Sequence, residues 1–377
     1  MKPASSRSLQ VIDLARTAAI LPVMALHLKP NLPPPHPSYI WAWDRNGGYG
    51  VLMFFVISGF LITRVLAEGS KGAFQASWKK FYVQRAGRIL PLFLLILSLG
   101  LLFALIFRDN SSLFSFCFKL PDHPADWTFW GPLILFLFNW ARCFLTPLWG
   151  GIGAYWGVCW SLAVEEQFYL FYPLILRKLK NEKNLIQFLW GVVLFGLLWR
   201  LAMAFISFPD SVDIKYASFG CFDQIALGAL LYFTHKNFSK TLLQKPGLCW
   251  VLTLCGSALF VAANLFTNNW NKIDFIYSPL LAGLSVFFFL LGGLNLTWFE
   301  SGFLKLFTLP GKYSYGNYLY HIAVIYFLAP YLQNLHILLA FIILVVATTA
   351  LSAFSFNYFE VPVNHYIRNR FGASRVS

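Results

Sequence analysis

Charge is what this sequence has least of. Only 12% of its 377 residues are Asp, Glu, Lys or Arg, just 15 of them acidic, against 58% hydrophobic. Soluble domains run near a quarter charged, so too little polar surface is present to coat a water-soluble globule, and the bilayer must be the main solvent. Long polar stretches are missing too: no loop between apolar segments exceeds about 25 residues, which leaves no room for a soluble domain and puts function among the helices. Six cysteines show no C-x-x-C spacing, so no metal site is expected, and Cys159, Cys221, Cys249 and Cys255 fall in apolar segments where they pack as small apolar residues. Cys117 and Cys143 both fall on the outer side, which leaves a disulfide between them open. No internal repeat is found, whereas many transporters are built from repeated halves.

What the sequence does hold is apolar runs of membrane length. A span needs about 20 mostly apolar residues, and ten segments qualify, at 11–29, 48–66, 87–107, 155–176, 185–206, 217–234, 247–266, 275–293, 313–331 and 336–357. The net charge of +14 would point to nucleic acid in a soluble protein. Sorted by loop it reads differently. With ten spans and both termini inside, 20 of the 29 Lys and Arg lie on the cytoplasmic side and 7 outside, with Arg16 and Arg200 within helices. The charge is therefore a topology signal and no nucleic-acid partner is expected. Trp130 to Trp140 is an eleventh apolar run, but it is short, contains Gly131 and Pro132, and would reverse the charge bias if it crossed. It reads as a re-entrant or interfacial piece. The N-terminal segment reads as a retained anchor, because Asp13 and Arg16 interrupt it and no small-residue cleavage site follows. The fold class expected is all-α, a polytopic membrane bundle of about ten helices with cytoplasmic termini.

A charge at membrane depth costs several kcal/mol unless it is paired or faces a cavity, so each one is a candidate for function. Arg16 and His27 are eleven residues apart, which on a helix puts them within about 20° of one face and about 16 Å apart. Arg16 also suits an interfacial anchor paired with Asp13 at i, i+3, and His27 an interfacial residue. Glu165 and Glu166 are adjacent, so they cannot both face lipid; the structural alternative pairs a glutamate with Arg16 or Arg200. Ser314, Tyr318 and His321 fall at i, i+4 and i+7 on one helical stripe, suited to a site or to polar packing. Arg85 and Arg88, at i and i+3, are either topology charges or a phosphate site, since guanidinium forks match phosphate oxygens.

Taken in order, these segments resemble the acyltransferase 3 family, bacterial integral-membrane acyltransferases that modify surface glycans and related acceptors. Ile12-Asp13-Leu14-Ala15-Arg16 followed by His27 is similar to its opening R-x10-H helix. Gly50-Val51 and Phe54 through Ile62 resemble its second-helix signature, and Arg85-Ala86-Gly87-Arg88-Ile89-Leu90-Pro91 its R-x-x-R-I-x-P stretch. Trp160-Ser161-Leu162 with Glu165-Glu166-Gln167-Phe168-Tyr169, Gly311 through His321, and Phe359-Glu360-Val361-Pro362 resemble the remaining motifs. Two positions depart: Leu52 stands where the family usually has an acidic residue, and Cys221 where it has an Arg before Phe222-Asp223.

The resemblance implies a single membrane acyltransferase domain over residues 1–377, in the bacterial cytoplasmic (inner) membrane, with no bound cofactor or metal. It implies acyl-CoA, most often acetyl-CoA, as donor substrate, with its phosphates at Arg85 and Arg88 and with Ser314 and His321 also on the donor side. His27 would be the general base or a transient acyl carrier, Glu165 would orient or charge-balance the site, and Arg16 would help position the donor. The acceptor would be a hydroxyl of a surface glycan or a lipid-linked molecule, selected by outer loops such as 30–47 and 108–154. Many relatives add a C-terminal SGNH-type hydrolase domain; this sequence ends about 20 residues after the last apolar segment, so a stand-alone enzyme, or one served by a separate periplasmic transferase, is expected. The alternatives are a transporter or flippase for a lipid-linked glycan, and a non-catalytic relative, which Leu52 and Cys221 keep open.

Overall fold

A computed structural model describes residues 6–28, 47–68, 78–107, 117–120, 127–145, 153–179, 181–206, 216–266 and 272–371, and it contains only helices and turns over them. The principal helices are α1 (Ser6–Leu28), α2 (Gly48–Glu68), α3 (Trp78–Ile106), α4 (Trp127–Ile134), α5 (Phe138–Leu145), α6 (Cys159–Lys178) and α7 (Glu182–Ile206). They continue as α8 (Phe222–Leu243), α9 (Pro246–Phe266), α10 (Lys272–Gly293), α11 (Ser314–Leu332), α12 (Ile337–Ser355) and α13 (Val361–Phe371), the last two joined by a π-helical turn at Phe356–Glu360. Each of the ten apolar segments coincides with one helix of 19 residues or more.

Seven stretches are both long and apolar enough to cross a membrane: Gln10–Leu28, Gly48–Glu68, Lys79–Ile106, Glu182–Ile206, Pro246–Phe266, Lys272–Gly293 and Ile337–Phe371. The chain is a multi-pass membrane protein. The other three long helices, α6, α8 and α11, are more polar for a structural reason: each buries a face that carries polar side chains, although α6 also turns Leu170, Phe171 and Leu174 outward. Every residue from Asp223 to Phe233 of α8 is buried, whereas α7 turns Trp190, Leu194 and Leu198 outward at helical spacing. Because apolar helices face lipid around them, these buried faces can carry the polar side chains that a lipid-facing surface could not.

Close helix approach is set by small residues. A side chain at Gly59 of α2 would run into the Ile225 carbonyl of α8, and one at Gly228 of α8 into the Val56 carbonyl of α2. The two glycines thus let the backbones touch reciprocally, the packing that replaces hydrophobic drive inside a bilayer. Gly311, in the short helix Leu309–Lys312, likewise lies against the Asp13 carbonyl of α1, and its N–H donates to Thr17 Oγ1 at 2.9 Å. At 29 residues, or about 43 Å, α3 exceeds the hydrocarbon thickness, and its first turns carry Lys79, Lys80, Arg85 and Arg88.

The short apolar run at 130–140 does not form one helix. It divides between α4, with Pro132 inside it, and α5, and Phe136 between them has φ 54°, the only positive φ outside glycine among the described residues. A β-carbon there is strained, so the turn must be held from outside. Gln167 of α6 does so: its Nε2 donates to the Phe136 carbonyl at 2.6 Å and to Asn139 Oδ1 at 2.8 Å. A disulfide between Cys117 and Cys143 is not formed. Cys117 is buried in the turn beneath Gly153 and Cys143 is half-buried on α5. Of the outer segments expected to select the acceptor, 30–46 and the stretches 108–116, 121–126 and 146–152 lie outside the described residues.

Candidate active site

Five helices surround a cavity of about 120 Å³. α1 contributes Arg16, α2 Ser58, α3 Arg85 and Arg88, α6 Ser161 and Glu165, and α11 Ser314 and Tyr318. Five of the residues named from the sequence, Arg16, Arg85, Arg88, Glu165 and Ser314, therefore share one wall, although they come from positions up to 298 apart in the chain. Three guanidinium groups against one carboxylate make the lining net positive, a setting suited to an anion.

The three arginines differ in how they are satisfied. Arg16 Nη1 is 3.3 Å from Asp13 Oδ1, the i, i+3 pair expected from the sequence. Arg85 is clasped on three sides: Nη2 is 3.5 Å from Glu165 Oε2, Nε is 3.8 Å from Glu166 Oε1, and the guanidinium carbon lies 3.8 Å over the Tyr169 ring. The glutamates thus pair with Arg85, not with Arg16 or Arg200; helix α3, not α1 or α7, is the neighbour that brings a cation to α6. Tyr169 donates to Glu165 Oε2 at 3.0 Å and also bonds Ser58 Oγ, so five side chains from three helices form one unit. Arg88, one turn along α3 from Arg85, has neither an ion pair nor a hydrogen bond among the described residues, and its side chain is solvent-accessible on the cavity side.

Arg200 is committed elsewhere. Its Nη2 meets Asp223 Oδ2 at 2.8 Å, Nη1 donates to the Gly220 carbonyl at 2.8 Å, and Nε to the Ile276 carbonyl at 3.0 Å, with both side chains almost wholly buried. This triple engagement ties α7, α8 and α10 together away from the cavity.

His27 and His321 do not line the cavity; they meet each other beyond it. His321 Nε2 is 3.2 Å from His27 Nδ1, with ring centroids 5.0 Å apart. His27 Nδ1 is also 2.9 Å from the Val23 carbonyl, and His321 Nδ1 is 2.7 Å from the Tyr318 carbonyl. Tyr318 is the partition. Its ring packs on that of His321 at 5.8 Å, while its hydroxyl accepts from Ser161 Oγ at 2.8 Å on the cavity wall and donates to the Val158 carbonyl at 3.1 Å. The stripe of Ser314, Tyr318 and His321 thus runs from the cavity to the histidine pair one side-chain layer away, and α1 spans the same interval from Arg16 to His27.

Over residues 9–356 the chain matches the family described as Acyltransferase domain, Acyl_transf_3. The chain belongs to the acyltransferase 3 family. The matched stretch contains every candidate residue above. Among curated relatives, the chain is 26% identical over 369 residues to the peptidoglycan O-acetyltransferase OatA of Listeria monocytogenes, an alignment covering 93% of this chain and 55% of that protein. It is 25% identical over 370 residues to the O-acetyltransferase OatA of Staphylococcus aureus, covering 95% of this chain and 58% of that protein. The chain spans a little over half the length of these relatives. No solved structure matches it.

Both departures from the usual acyltransferase 3 pattern sit outside the cavity lining. Leu52 packs against an apolar cluster of Tyr49, Ala263 and Ala282. Cys221 is buried at the start of α8, and Asp223 two residues on takes its cation from Arg200 of α7. Sequence reasoning assigned no role to Ser58, Tyr169 or Gln167, although each falls in a quoted motif. Tyr169 was findable, because i, i+4 spacing from Glu165 on a helix places the two side by side.

Proposed function

We propose that this chain is a membrane-embedded O-acetyltransferase of the bacterial cytoplasmic membrane, taking acetyl from acetyl-CoA on the cytoplasmic side and delivering it to a hydroxyl of a surface glycan; O-acetyl transfer is in the names of both relatives, and a glycan acceptor in that of the Listeria protein. The observation that carries this reading is the cationic cavity, with Arg88 unpaired among the described residues, separated by the single side chain of Tyr318 from a pair of imidazoles. Membership of the acyltransferase 3 family supports it. Ten spans with both termini inside complete the proposal, because that arrangement puts Arg85 and Arg88 toward the cytoplasm and His27 toward the outer face.

In this mechanism Arg88 and Arg16 hold the CoA phosphates, and the Arg85, Glu165 and Tyr169 unit keeps the wall rigid and charge-balanced. The acyl-pantetheine arm reaches toward the histidines. His27 Nε2 takes the proton of the acceptor hydroxyl as its oxygen attacks the thioester carbonyl carbon; the C–S bond breaks, and the CoA sulfur leaves with the proton returned from His27. One ester and one CoA thiol result. The test uses inverted membrane vesicles, cytoplasmic face outward, from the strain that encodes the chain, with radiolabelled acetyl-CoA added outside. Label that mild alkali releases from the vesicle contents reports ester formation whatever the acceptor. Transfer is expected in wild type and lost in His27→Ala; an undiminished rate in His27→Ala refutes the role of His27.

A further inference from the structure

The contacts of the two imidazoles fix where their protons lie. A carbonyl oxygen can only accept, so His321 Nδ1, 2.7 Å from the Tyr318 carbonyl, carries hydrogen. In the neutral ring its Nε2 is then an acceptor. His27 Nδ1 faces two acceptors, the Val23 carbonyl at 2.9 Å and His321 Nε2 at 3.2 Å, so it too carries hydrogen and shares it between them. A proton on His321 Nε2 would instead require a lone pair on His27 Nδ1, aimed at the lone pairs of Val23. The neutral arrangement satisfies both Nδ1 atoms and His321 Nε2, and in that tautomer the lone pair of His27 is on Nε2. His321 is 0% exposed, so no water competes for its place beside His27.

We infer that His321 is a positioning residue for catalysis: its Nε2 accepts from His27 Nδ1, holds the tautomer in which His27 Nε2 is the base, and stabilises the imidazolium formed when that nitrogen takes the acceptor proton. The inference rests on the proposed role of His27 as base. It removes His321 from the donor-binding set in which the sequence placed it and assigns it to the proton-transfer step. The Val23 carbonyl alone orients the ring; the second acceptor matters most once the ring is charged, because a hydrogen bond to a charged group contributes about twice as much as one between neutral groups.

Two amide substitutions separate this role from packing. His321→Gln places a side-chain oxygen where Nε2 now stands and so keeps the acceptor. His321→Asn places its amide where Nδ1 stands, keeps a donor toward Tyr318, and loses the acceptor. In the vesicle assay, His321→Asn is expected to lower the maximal rate roughly ten- to hundredfold with the KM for acetyl-CoA unchanged, and His321→Gln to recover most of the rate. Equal rates in the two variants, whether high or low, or a raised KM for acetyl-CoA as the main effect, would overturn the inference while leaving His27 untouched. His27→Ala runs alongside: full activity there means that the underlying base assignment has failed, independently of either His321 variant.

Discussion

Arg85 and Arg88 lie one turn apart on the same helix, yet removing each should have opposite consequences. Arg88 makes no bond within the described protein, so Arg88→Ala should leave the fold as it is, with stability within about 0.5 kcal/mol of wild type. If it holds a CoA phosphate, its loss removes a charge-assisted hydrogen bond worth about 1.5–3 kcal/mol, or roughly a ten- to hundredfold rise in Kd. Arg85→Ala should do the reverse. It leaves Glu165 and Glu166, with side chains only 17% and 22% exposed, facing each other without a cation, and breaking a buried pair in this way costs about 3–5 kcal/mol. The melting temperature in detergent should then fall by on the order of 5–10 °C. Calorimetric titration with CoA and a thermal melt on each purified variant read both axes. Unchanged CoA affinity in Arg88→Ala would refute the phosphate role, and an unaltered melt in Arg85→Ala would refute the clasp.

Three further outcomes follow from the packing. Gly228→Leu should prevent α2 and α8 from closing, since its side chain meets the Val56 carbonyl; folded yield by size-exclusion chromatography should collapse, and normal yield would mean that the two backbones do not touch. Arg200→Met should cost about 3–5 kcal/mol because Asp223 is left buried and unpaired, whereas the double variant Arg200→Met/Asp223→Leu should regain most of it; thermal melts that rank the double variant no better than the single would deny the pairing. Gln167→Ala removes the bonds that hold Phe136 and Asn139, so hydrogen exchange should rise across 127–145 and not in α8; uniform protection would place the restraint elsewhere.

The segments that became helices were readable because each is apolar over membrane length, and the charges at depth stood out because there are so few. Arg16 and Asp13 could be paired in advance because both lie on one helix at fixed spacing. Partner choice between helices could not be read. Glu165 had Arg16 and Arg200 as apparent options, yet its neighbour is Arg85, 80 positions away, because only packing decides which helices touch. The His27 and His321 contact joins residues 294 apart, and nothing in either motif announces it. The turn at Phe136 was also hidden: Pro132 and Gly131 signalled a break, but the left-handed residue is a phenylalanine held by a glutamine from another helix.

Inside a hydrocarbon environment no water completes an unfinished pairing, so the charged groups can be sorted by who satisfies whom. Asp13 takes Arg16, Glu165 and Glu166 take Arg85, and Asp223 takes Arg200. Arg85 and Arg200 hold helices together and would be costly to lend to a ligand, whereas Arg16 is paired only within its own helix and still lines the cavity. Among the described residues Arg88 is left over, on the cavity wall, one turn from a cation of identical chemistry that pairs with two glutamates. The spacing of Arg85 and Arg88 suggested a matched pair of phosphate ligands; their surroundings instead divide the work, with one arginine building the wall and the other facing the space it encloses. The same sorting applied to hydrogen-bond donors ends at His27, where two acceptors claim Nδ1 and the basic lone pair is directed to Nε2. A cation unpaired among the described residues at one end of the Ser314 to His321 stripe and an oriented imidazole at the other are the two things that a thioester donor and a hydroxyl acceptor require.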